Sequence, residues 1–185
     1  FQPLITAFKE LCPPDKFNYV LNIGAGAGVE TKLLMDQGYT VLGITYGRDN
    51  INYAKKNYGI DLKEIDMHDL DFPIGMFDAT FSVQSFEHAF SAWWHILEMR
   101  RILRDGGRVF FDVPSPGNDE LLRTIWHTES LYDNQIDALF WKAGFKKIDN
   151  ENLDNIYTFC FEKLPDDSFE MWGYVKYIME ALKEV

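Results

Sequence analysis

Cysteine is scarce in this chain. Cys12 and Cys160 are the only two in 185 residues, far apart and without a C-x-x-C spacing. That argues against a disulfide-stapled scaffold and a structural zinc site, and it points to a reducing compartment, here expected to be the cytoplasm. Positive charge is scarce too: 18 Lys and Arg face 29 Asp and Glu, for a net charge of −11. Such a balance repels phosphate backbones and argues against a nucleic-acid clamp. The densest basic groups (Arg100, Arg101 and Arg104; Lys146 and Lys147) read as helix faces and strand edges. No uncharged apolar run approaches the roughly 18–20 residues that span a bilayer, so no membrane partner is expected. No basic and apolar leader opens the chain, although it starts at Phe1 rather than Met and a preceding segment stays open. Repeats, low-complexity stretches and long linkers are missing as well. What is abundant is apolar and aromatic, 46% and 16% of residues, which excludes disordered, collagenous and mucin-like chains. The length suits one domain, residues 1–185, able to bury roughly 70% of its unfolded surface.

The order of elements is strand, helix, strand, helix. Strands are expected at Tyr19 to Ile23, Tyr39 to Ile44, Ile60 to Ile65, Phe77 to Val83 and Arg108 to Val113. Helices are expected at Val29 to Gln37, Asn50 to Tyr58 and Ser91 to Leu103, with Gly38 and Gly59 as C-terminal stops. This alternation predicts βαβ units and a parallel sheet with right-handed crossovers. After Pro114 comes a loop over 114–129, then a helix from Ser130 to Ala143 closed by Gly144. Phe145 to Asn150 and Asn155 to Lys163 lie so close in sequence that they must pair antiparallel. A helix over about 168–183 carries Met171, Val175, Ile178, Met179 and Leu182 on one stripe, which packs on the chain's own sheet or on a second copy in a homodimer. Pro3 to Leu11 reads as a further helix near the ligand face.

The strongest local signal is Gly24-Ala25-Gly26-Ala27-Gly28, directly after a strand and opening a helix. Glycines there allow a tight turn and let a ligand approach without a Cβ in the way. A dinucleotide fold wants G-x-G-x-x-G, but the sixth position after Gly24 inclusive is Val29, which counts against NAD.

Here the chain resembles the class I S-adenosylmethionine-dependent methyltransferases, in particular type 11-like domains. Phe72-Pro73, Phe77-Asp78, Phe86-Glu87-His88, Arg101 to Gly107 and Gly144-Phe145 follow the family's landmarks in order, over roughly residues 17–163. The resemblance implies a Rossmann-like three-layer α/β sandwich with a seven-stranded, mostly parallel sheet, order 3-2-1-4-5-7-6, its last strand antiparallel. It implies S-adenosyl-L-methionine as cofactor and S-adenosyl-L-homocysteine as product. By position, Asn22, Gly24, Ala25, Gly26 and Gly28 would lie at the cofactor's methionine and ribose part. Thr45 and Tyr46 would lie at ribose and adenine, Asp66 and Met67 at the adenine, and Gln84 near the sulfonium. A carboxylate at Asp66 suits an exocyclic amine, and it suits a turn cap equally by residue type. Two positions depart from the pattern. Asn22 replaces the usual acid ending the first strand, and Thr45 replaces the acid that holds both ribose hydroxyls.

Methyl transfer from a sulfonium mainly needs alignment, with a base only when the acceptor must lose a proton. His127, in the loop after the fifth strand, and His88, at the C-terminal end of the fourth, are the candidate catalytic residues, since imidazole titrates near neutrality. Glu87 is a further candidate, ahead of His68 and His95. No metal is expected, because no spacing along the chain sets two histidines beside a carboxylate. The core is near minimal, so the acceptor is expected to be a small molecule or saccharide bearing an oxygen or nitrogen nucleophile. A rival reading is a binding or assembly subunit that retained the fold, with Asn22 and Thr45 as the marks of a weakened site. Another is the transferase domain of a longer protein.

Overall fold

The computed structural model describes residues 1–114, 127, 131–153 and 156–167, the side chains of 149–156 excepted. Helices α1 (Gln2–Leu11), α2 (Val29–Asp36), α3 (Arg48–Tyr58), α4 (Ala92–Ile102) and α5 (Asp133–Lys142) alternate with strands β1 (Tyr19–Ile23), β2 (Thr40–Thr45), β3 (Lys63–Glu64), β4 (Phe77–Val83), β5 (Leu103–Pro114), β6 (Phe145–Leu153) and β7 (Ile156–Lys163). The strands form one sheet of order β3-β2-β1-β4-β5-β7-β6. The first five are parallel, and β7 runs antiparallel to both β5 and β6. This is the expected Rossmann-like architecture. No described helix is long and apolar enough to cross a membrane.

Because side chains alternate across a strand, neighbouring residues sort into opposite clusters. Leu21, Ile23, Val109, Phe111, Phe159 and Phe161 face one side, where Ile96 and Leu97 of α4 and Ile136 and Phe140 of α5 cover them. Val20, Phe81, Phe110 and Cys160 face the other, under Leu4, Ile5 and Phe8 of α1 and Leu34 of α2. Helix ends follow local chemistry. Gly59 closes α3 in the left-handed conformation at φ +71°, and the Ser91 hydroxyl accepts the Trp94 N–H to open α4.

Several boundaries differ from the sequence expectation. The third strand shrinks from 60–65 to Lys63–Glu64, because Ile60 and Leu62 bury against Ala25 and Ala54. The fifth strand starts at Leu103 and runs through the Asp105-Gly106-Gly107 turn, with a register shift opposite Phe77 and Ala79. A single 3₁₀ turn, Phe86–His88, follows β4. The C-terminal helix expected at 168–183, the turn at Asp154 and Asn155, and the 114–129 loop, apart from Pro114 and His127, lie outside the described residues.

Candidate functional site

Parallel strands end at one edge of the sheet, which is where open α/β sheets bind ligands. There β1, β2 and β4 border a cavity of about 540 Å³. The glycine turn forms its floor. The Ala25 N–H donates to Ile44 O at 2.8 Å, tying the turn to β2. A Cβ on Gly24 would meet the Ser85 hydroxyl at 1.9 Å, so only glycine lets the turn after β4 come this close. Gly26 has a φ of +48° and nothing within 4 Å of its Cβ position, so any side chain there would fill cavity space.

One wall is built around Asp66. Its Oδ1 accepts the His68 backbone N–H at 2.9 Å and sits 2.8 Å from His68 Nδ1, while Oδ2 accepts the Tyr46 hydroxyl at 3.3 Å. Partial burial alone would raise this carboxyl. The hydrogen bonds from His68 outweigh it and hold Asp66 below the ordinary carboxylate value. His68 Nε2 accepts the Phe90 N–H at 3.2 Å, so the proton belongs on Nδ1. The His68 ring also stacks on Phe90 at 3.7 Å. Oδ1 thus caps a turn, while Oδ2 faces the cavity side with the Tyr46 hydroxyl as its partner.

The opposite wall is the tip of β4. Gln84 adopts φ +47°, the one non-glycine residue at positive φ among those described. Its strain is held by buried Asp112 of β5, which accepts the Gln84 backbone N–H at 2.8 Å and its Nε2 at 3.0 Å. Burial pushes the Asp112 carboxyl upward, against those two hydrogen bonds.

At the mouth, Glu87, His88 and His127 bring one donor atom each to within 4.8 Å of one another. Glu87 is 4% exposed. Burial, and to a lesser degree the charge of Asp112, pushes its carboxyl up to about 7, against its own backbone N–H. His95 is instead sealed in the core, its Nδ1 donating to Met67 O at 3.0 Å, and burial holds its pKa down at about 4. That leaves it neutral and unsuited to proton transfer from a solvent-facing substrate.

Of the positions singled out in the sequence, Gly24, Gly26, Thr45, Tyr46, Asp66, Met67, Gln84 and His88 line the cavity. Asn22, Ala25 and Gly28 sit beside it. Asn22 donates to the Thr31 hydroxyl at 2.9 Å, linking β1 to α2, and a Cβ on Gly28 would press on Ala54 at 2.9 Å. The Thr45 hydroxyl approaches Tyr46 O at 3.4 Å. Asn50 is a lining residue that sequence reasoning missed; its Nδ2 donates to Tyr46 O at 3.3 Å, which leaves its carbonyl oxygen for a hydroxyl ligand. Asp112 was missed as well, and its one signal was an acid near the end of a buried strand. A smaller cavity of about 410 Å³ lies beside Phe72 and Trp94. There the Arg101 guanidinium is engaged by Glu98 and by the carbonyls of Phe72 and Leu70, and no glycine turn opens into it.

Residues 21–111 match the family model described as a methyltransferase domain. No curated protein matches the chain. Among solved structures, a chain of the complex between the Haloferax volcanii Trm112 methyltransferase activator and its methyltransferase partner is 14% identical, with a TM-score of 0.77 over 89% of this chain and 88% of that one. An S-adenosylmethionine-dependent methyltransferase from Mesorhizobium loti is 14% identical, with a TM-score of 0.71 over 85% and 96%. The [4+2]-cyclase SpnF is 17% identical, with a TM-score of 0.76 over 88% and 80%. At these identities the structures speak to fold, and the cyclase illustrates that one fold hosts different chemistry. Fold and family model agree: residues 21–111 match the methyltransferase domain, and the sheet order is that of the Rossmann-like methyltransferase fold. Together they support a methyltransferase that uses S-adenosylmethionine as its methyl donor. The cavity suits that ligand: Gly26 leaves the floor open, Asp66 lines it, and among the described residues no Lys or Arg does, which favours a ligand carrying positive charge.

Proposed function

We propose that the chain transfers the methyl group of S-adenosylmethionine to an oxygen or nitrogen of a small molecule or saccharide, as a single cytoplasmic domain. The observation that carries this is the cavity at the strand ends, with its open glycine floor and with His88 at the mouth beside His127. The bound cofactor supplies an activated methyl group and a good leaving group. The chain's own residues do the rest. Asp66 and Tyr46 hold the adenine side, while Thr45 and Asn50 offer the ribose polar contacts that an acid makes in relatives. Gln84, braced by Asp112, fixes the position of the reacting end. His88 and His127 stand where an acceptor's proton would be taken. Among the described residues the cavity lining lacks Lys and Arg, which favours a neutral or cationic acceptor over a phosphorylated one. The exposed rings of Tyr46 and Phe90 on its rim suit a sugar or apolar face.

Calorimetric titration with S-adenosylmethionine and S-adenosylhomocysteine, with NAD as control, tests this reading. Micromolar binding is expected for both sulfur ligands and none for NAD. Asp66→Ala and Gly26→Val should each weaken binding about tenfold or more, roughly 1.4 kcal/mol. A folded sample that binds neither sulfur ligand would turn the reading toward an assembly subunit.

A further inference from the structure

One cluster carries chemistry that methyl transfer does not require. Glu87 and His88 share the 3₁₀ turn after β4, and His127 comes from beyond β5, yet their donor atoms converge within 4.8 Å. The two imidazole rings meet edge to face, their centroids 5.1 Å apart at 66°. Glu87 is buried, His127 half-buried and His88 exposed, so the set runs from core to mouth. A second buried carboxylate, Asp112, acts electrostatically on Glu87, and among the described residues no Lys or Arg lines the adjoining cavity. A carboxyl set beside two imidazoles, with a second carboxyl near it, offers donor atoms that suit a cation.

We propose that Glu87, His88 and His127 form a binding site for a divalent first-row transition ion at the mouth of the cofactor cavity. Two imidazoles and one carboxylate are the donor set of three-ligand zinc and related centres, whereas calcium and magnesium want oxygen throughout. Metal–donor bonds of about 2.0–2.2 Å place adjacent donors roughly 3–3.5 Å apart. The cluster, within 4.8 Å, therefore needs to close by at most roughly 1–2 Å, a movement that exposed His88 can make. Three protein ligands leave positions open, and His88 also lines the cavity, so those positions meet the acceptor's path. The role assigned to the ion rests on the methyl-transfer reading, while its binding does not. In that role the open positions take an acceptor hydroxyl. The O–H proton leaves to water, the carbon–sulfur bond breaks and a carbon–oxygen bond forms. The imidazoles then act as ligands rather than proton acceptors, and the acceptor narrows to an oxygen nucleophile.

The test is a cobalt(II) titration of the tag-free chain, followed by visible absorption, with zinc(II) as competitor. One ion per chain should bind at roughly micromolar affinity or tighter, giving a ligand-field band that zinc erases. His88→Ala and His127→Ala should each weaken binding by at least about tenfold with thermal midpoints unchanged. A folded chain with no saturable band, or one whose binding ignores both substitutions, overturns the site. A parallel S-adenosylhomocysteine titration separates the two readings. Homocysteine-ligand binding without cobalt binding removes the metal site alone. Cobalt binding without the sulfur ligand upholds the site and removes the methyl-transfer reading.

Discussion

One face of β4 and β5 and their C-terminal edge live in different physical regimes. On the face under α4 and α5 lies a stack of rings: Phe86 on Phe111 at 4.7 Å, Phe111 on Phe140 at 5.4 Å, and Phe140 on Phe161 at 4.1 Å and 5°. Toward the C-terminal edge the same strands deliver Gln84 at positive φ, Asp112 buried with a raised pKa, and Glu87 at about 7. The face is all apolar contact and the edge concentrates strain and perturbed carboxyls. Stability and function are thus carried by adjacent residues, Phe86 beside Glu87 and Phe111 beside Asp112, with the rigid aromatic stack supporting the strained polar edge.

The largest effect should come from the aromatic stack. Phe140 is fully buried and packs against four other rings, so Phe140→Ala should cost about 3–5 kcal/mol of unfolding free energy. Urea denaturation would measure it, and S-adenosylhomocysteine affinity of the folded fraction should hardly move. Equal losses in both would break the proposed separation.

His95 tests the boundary between the two regimes through pH. Its pKa is about 4 in the folded chain and about 6.5 when unfolded, so the folded state favours the neutral ring. Stability is full above about pH 6.5 and declines as pH falls toward 4, because the unfolded chain takes up the proton first. The loss should reach at most about 3 kcal/mol. His68 works against the His95 charge and Asp66 favours it, while Met67 O holds Nδ1. His95→Gln retains a donor for Met67 O and should flatten the urea midpoint between pH 7 and 4.5. An unchanged slope in that variant would assign the acid sensitivity to other groups.

The smallest effect on stability, with a clear effect on binding, is expected at Asp112. Asp112→Asn removes a buried charge and should shift stability by less than about 1 kcal/mol. It reverses one hydrogen bond to Gln84 Nε2, so S-adenosylhomocysteine affinity should drop about tenfold, roughly 1.4 kcal/mol. Calorimetry alongside thermal melting would read both. A large melting shift with intact affinity would make Asp112 a packing residue rather than a positioning one.

Most of the site's floor was legible because it is local. Gly24, Gly26 and Gly28 announce a turn by residue type alone, and each adopts the positive φ that glycine permits. The strand-helix alternation was equally legible, since period 2 and period 3.6 are written in consecutive residues. The third strand was overestimated because Ile60 and Leu62 are apolar for the sake of α3 rather than the sheet. Asn22 and Thr45 read as departures from an acidic pattern. In the fold Asn22 serves the β1–α2 joint, and Asn50, one helix turn from Tyr46, brings a polar group to the cavity.

By itself the sequence determined the fold class, the glycine floor and the carboxylate at Asp66, because each depends on residues adjacent in the chain. Only the tertiary structure decided that Asp112 braces Gln84, that His95 is sealed away and that His127 meets Glu87 and His88. Those contacts join residues separated by whole βαβ crossovers. Strand order, not spacing along the chain, brings them together.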